Sequence, residues 1–116
     1  PRLDDVLARM PAMLDAMHYQ CAKIEMARDD EARGPLYRET ASDAAMLRKM
    51  IGPLPKLTGF EREQLARVDS MTEELGKELD QVKALAEAGR IEELKRSVQA
   101  ADGACQRLLA YIRWAR

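Results

Sequence analysis

The sequence predicts an all-α protein, an antiparallel up-down-up-down four-helix bundle in which residues 1–116 make a single domain. Three observations carry this. Ala, Leu, Glu, Arg, Lys and Met, the good helix formers, dominate the chain. The aromatic residues are only Tyr19, Tyr37, Phe60, Tyr111 and Trp114, and there are no β-branched runs, which argues against a sheet. Four apolar-periodic stretches are separated by turn-forming clusters near residues 28–35, 52–58 and 88–90.

The first helix carries Leu3, Leu7, Met10, Leu14, Met17, Cys21 and Ile24, spaced alternately by four and three, as in a heptad seam. Pro11 interrupts it. A proline there removes one ladder bond and crowds the preceding turn, so a kink or a restart is expected. Asp29 to Pro35 reads as a loop by its turn chemistry. The second helix runs from about Leu36 to Ile51, with Tyr37, Thr40, Ala44, Leu47 and Ile51 on one face, and Gly52-Pro53-Leu54-Pro55 ends it. Thr58-Gly59-Phe60-Glu61 has a capping-box pattern. It opens a third helix with Leu65, Val68, Leu75, Leu79 and Val82. Gly89 stops that helix at the position that favours a left-handed residue. The fourth helix repeats the heptad through Ile91, Leu94, Val98, Ala101, Cys105, Leu108 and Ile112. Arg113 and Arg116 in its last turn complement the negative end of the helix dipole. Gly76 and Gly103 lie inside helices. Each costs about 1 kcal/mol against alanine, and each is read either as a tolerated glycine or as a mark of close helix contact or ligand room.

The net charge is −1 with both signs interspersed. No basic stripe suggests a nucleic-acid partner, and no basic face suggests a membrane surface. No apolar run approaches the roughly 18 residues of a membrane span. No signal peptide is visible, and an opening Pro1 in place of Met points to a processed or trimmed start. Two distant cysteines, Cys21 and Cys105, make neither a disulfide framework nor a zinc pattern. The carboxylates sit in mixed-charge faces, with Glu73–Lys77 and Glu92–Arg96 expected as helical ion pairs. No phosphate loop and no nucleophile elbow occurs, so an enzyme is not expected. His18, the single histidine, cannot build a zinc site alone and is expected near the surface.

One constellation suggests metal chemistry. Met10, Met13, Met17, Cys21 and Met26 crowd the first helix, and Met46 and Met50 lie four apart on the second. Thioether and thiolate ligands suit Cu(I). In an antiparallel bundle Cys105 falls near the level of Met10 to Leu14, which makes Met10, Met17 and Cys105 the candidate metal ligands. The competing reading is that these residues fill the core.

Leu85-Ala86-Glu87-Ala88-Gly89-Arg90-Ile91, followed by Ile112 and Arg113, resembles the last helical hairpin of the bundle cytochromes: the class II c-type cytochromes and the soluble b-type bundle cytochrome. The c-type family places Cys-x-x-Cys-His just before that arginine. Here the register gives Cys105-Gln106-Arg107-Leu108-Leu109, with leucine at the second cysteine and at the axial histidine. The b-type relative takes a methionine near the start of the first helix, where this chain has Leu7, with Met10 one turn later. The resemblance implies the bundle fold and a bacterial, periplasmic setting, with the haem site lost. A second, shorter resemblance is to histidine phosphotransfer domains, but Gln99 in Gln99-Ala100-Ala101-Asp102-Gly103 stands where their histidine would carry phosphate.

The expected function is a non-enzymatic binding or sensing module that takes a small ligand or a protein partner in its interior or on a helix face, with no cofactor. One alternative is a soft-metal or non-standard haem redox protein using the Met and Cys residues. The other is a structural domain that forms a homodimer through its first helix.

Overall fold

The computed structural model describes residues 2–116, and among them the regular structure is entirely helical: α1 (Leu3–Met26), α2 (Asp30–Ile51), the single turn α3 (Leu54–Leu57), α4 (Arg62–Glu87) and α5 (Ile91–Ala115).

The helix ends differ from the expectation in three places. α1 runs through Pro11 without restarting. α2 begins at Asp30, so residues 30–35 are helical where a loop was expected. The Asp29 side chain caps α2 by accepting the Ala32 N–H at 2.8 Å, and Asp30 and Glu31 favour the positive end of its dipole. Pro35 is tolerated in part because Gly34 precedes it: the clash between a proline ring and the Cβ before it is absent. Arg33 then ties the connection, donating from Nε to Ile24 O at 3.3 Å and from Nη2 to Ala27 O at 2.9 Å. Ile24 O also accepts the Ala27 N–H at 3.3 Å, so the guanidinium adds a second bond there and satisfies the Ala27 carbonyl beyond the helix end. The third difference concerns the capping box. Thr58 does not cap α4; its hydroxyl donates back to Pro55 O at 2.8 Å, and Glu61 sits at the N-cap without a side-chain bond. The α4–α5 turn does follow expectation. Gly89 has φ +68, its N–H reaches Ala86 O at 3.1 Å and the Arg90 N–H reaches Leu85 O at 3.1 Å. That is the paired bonding of a Schellman end.

α1 packs on α2 and α5, α4 packs on α2 and α5, and α3 covers one end against α4 and α1. A single core results, in which Met10, Leu14, Met17, Ile24, Leu47, Ile51, Leu75, Leu79, Leu94, Leu108 and Ile112 are fully buried. α1 and α5 are linked by Asp4–Arg116 at 3.3 Å, His18–Asp102 at 3.8 Å and Glu25–Lys95 at 2.9 Å. One polar cluster interrupts the α1–α2 seam. The buried Gln20 donates to Asp43 Oδ2 at 2.8 Å, and the Thr40 hydroxyl lies 2.8 Å from both Gln20 Oε1 and Leu36 O. The molecule measures 51 × 21 × 19 Å.

Candidate functional site

Met10, Met17 and Cys105 all belong to the core, at 0%, 0% and 1% exposure. Interpolating between the three α1–α5 ion pairs, Cys105 lies level with Asp15, just past the expected range of Met10 to Leu14, and Cys21 lies level with Gln99. The thiols are buried and free. Burial pushes the Cys105 thiol up to about 12, with Asp102 adding to the shift and Arg113 opposing it. Burial likewise raises Cys21 to about 11, with Glu25 adding and Lys95 opposing. Both are held as neutral thiols, the form in which a cysteine packs as a small hydrophobe.

The positions that would serve a haem do not fit one. Leu108 and Leu109 stand where the c-type pattern needs a thiol and an imidazole, both are buried in the core, and neither offers iron a donor atom. Among the described residues, Met10, Leu14, Met17, Cys105 and Leu108 line none of five surface depressions of about 300–420 Å³.

His18 is half-exposed on the α1–α5 side, with Nε2 3.8 Å from Asp102. The heptad seam of α1 is consumed internally, since Leu7, Met10, Leu14, Met17, Cys21 and Ile24 are all buried within the chain. Neither expected helical ion pair closes among the described residues. Glu73 faces Arg48 on α2 at 4.0 Å, and Glu93, not Glu92, meets an arginine, Arg90. Gly76 leaves room for a side chain of α2 rather than for close contact between helix backbones. A Cβ built on it would lie 1.5 Å from Arg48 Nη1, and the same guanidinium reaches Asp80 at 3.5 Å. Gly103 meets nothing closer than Arg107 of its own helix, at 3.3 Å.

The surface holds what the interior does not. At the corner where α2, α3 and α4 meet, Gly52, Pro55, Leu65 and Ala66 floor an open depression of about 420 Å³, rimmed by Lys56, Arg62 and Asp69. A smaller groove of about 300 Å³ runs between α1 and α2 past Ala12, Met13, Ala16 and Met46. Sequence reasoning missed the corner because it depends on α3, which was read as a helix-breaking link. Comparison with known proteins matched no family model, no curated protein and no solved structure.

Proposed function

We propose that the chain is a non-enzymatic binding module, an antiparallel up-down-up-down four-helix bundle that presents ligand surface outside a filled core. The topology reading is supported by the α1–α5 ion pairs, which join the start of each helix to the end of the other, and by the packing of each long helix on its sequence neighbours. The observation that carries the function is the contrast between a core without an opening at its thiols and thioethers and the open depression at the α2–α3–α4 corner. Ligand pockets of this size combine an apolar floor with a few polar groups at the edge. The likeness to bundle cytochromes supplies a bacterial, periplasmic setting as part of the proposal.

A second reading, a soft-metal protein, is favoured by one fact: Met10, Met17 and Cys105 share one core cluster. One experiment separates the two. The reduced protein is titrated with haem and with Cu(I) against a competing chelator. The module reading expects no stoichiometric Soret band and no stoichiometric copper. Tight copper binding abolished by Cys105→Ala would replace it with the metal reading.

A further inference from the structure

We propose that the α2–α3–α4 corner is a binding site for a small amphipathic carboxylate, an aliphatic chain ending in a carboxylate group, an inference that rests on the binding-module reading above. The floor is apolar and made of elements the core fixes. Pro55 is buried beneath it, and Leu65 is left 37% exposed at the depression while Val68 and Leu75 on the same face of α4 are sealed. The rim supplies the charge. Lys56 and Arg62 both line the depression, and among the described residues neither forms an ion pair or a side-chain hydrogen bond, so neither is tied to a carboxylate of the protein. Two unpaired cations beside an exposed aliphatic floor complement a ligand that is apolar along its length and anionic at one end. The third charge sets polarity. Asp69 stands two helical turns from Arg62, about 10 Å along α4. It repels a second anion, so the site selects monocarboxylates with an apolar or donor-bearing far end over dicarboxylates. A depression of about 420 Å³ has the scale of a small molecule rather than of a protein interface.

The test follows amide chemical shifts of the full chain during titration with octanoate, octanol and octylammonium at fixed ionic strength. The proposal expects octanoate to shift residues 52–69 selectively, octanol to bind about tenfold more weakly for want of the charged contact, and octylammonium to leave the corner unperturbed. The double reversal Lys56→Glu/Arg62→Glu should remove octanoate binding and admit octylammonium. Both side chains are exposed and an acidic residue at the start of α4 suits its dipole, so the variant should fold, which circular dichroism verifies; the neutral pair Lys56→Gln/Arg62→Gln provides a second reading. Equal binding of octanoate and octanol overturns the carboxylate assignment and leaves the module reading standing. Octanoate shifts outside the corner, or none, overturn the site. A peptide with an acidic C-terminal residue that binds the corner far tighter than octanoate moves the ligand to a protein and overturns the small-molecule assignment. The module reading fails separately, on the haem and Cu(I) titrations.

Discussion

Gly76 and Arg48 form a pair in which one residue exists to leave room for the other. Replacing Gly76 by alanine adds about 1 kcal/mol of helix propensity. It also displaces the flexible end of Arg48 from Glu73 and Asp80, exposed pairs worth about 0–1 kcal/mol. Gly76→Ala should therefore be close to neutral in the native background. In an Arg48→Ala background it should stabilise by the full propensity gain, about 1 kcal/mol. Urea unfolding of the four proteins in this cycle measures the coupling, and an equal effect of Gly76→Ala in both backgrounds would remove the notch interpretation. The thiols make a second prediction at this scale. Their folded pKa values are raised above the ordinary 9.0, so the stability they contribute is complete below about pH 9 and is lost as pH climbs toward about 11 for Cys21 and about 12 for Cys105. The urea midpoint of the native protein should fall more steeply over that window than that of Cys21→Ala/Cys105→Ala, whose midpoint starts lower but declines more gently. Parallel pH profiles would mean that the thiols are not desolvated. Such residue-scale features were only half legible. The seam position of Cys105 was visible in the heptad, but the partner of Gly76 lies on another helix, and no local pattern announces it.

Among the elements, the seams were readable and the ends were not. Apolar periodicity integrates over a whole helix, so of the expected α4 face Leu65, Val68, Leu75, Leu79 and Val82, the last four are buried, and only Leu65 at the helix start is left exposed. An end is decided by one or two hydrogen bonds. Thr58 has the side chain of a cap, yet its hydroxyl serves the Pro55 carbonyl of α3, a turn that two prolines disguise. Gly34-Pro35 looks like punctuation, yet Asp29 and Arg33 stabilise a helix start five residues earlier. The uncapped start of α4 leads to a design prediction. Glu61→Ser places a short hydroxyl at the N-cap with Gln64 three residues on, completing a capping box, and should add about 0.5–1 kcal/mol. Asp29→Ala should remove about 1 kcal/mol, since that cap is already made. Thermal unfolding of the two variants checks both signs, and a destabilising Glu61→Ser would show that the glutamate serves α4 in another way.

For the molecule as a whole, the register between helices governs which core groups can meet. The α1–α5 ion pairs set Cys21 and Cys105 about six residues apart in level, near 9 Å at 1.5 Å per residue, where the sequence alone suggested about ten residues. A disulfide requires Cα atoms within about 7 Å. Thiol counting on the denatured, unreduced monomer should return two free thiols, and a count of zero without dimerisation would break this register. The candidate surface site was less legible than the fold, because it arises where three elements converge and its lining comes from residues 52–69 that no single helical pattern groups together. The shape has a further effect, on rotation in solution. A body of 51 × 21 × 19 Å is about two and a half times as long as it is wide, so it spins about its long axis faster than it tumbles end over end. The N–H bonds of the four long helices lie near that axis and sense mainly the slow motion, whereas any N–H bond that points across it senses the fast one. Nitrogen relaxation in this protein will therefore depend on bond direction as well as on local motion, and a rigid N–H that crosses the long axis will mimic a mobile one to any treatment that assumes a sphere.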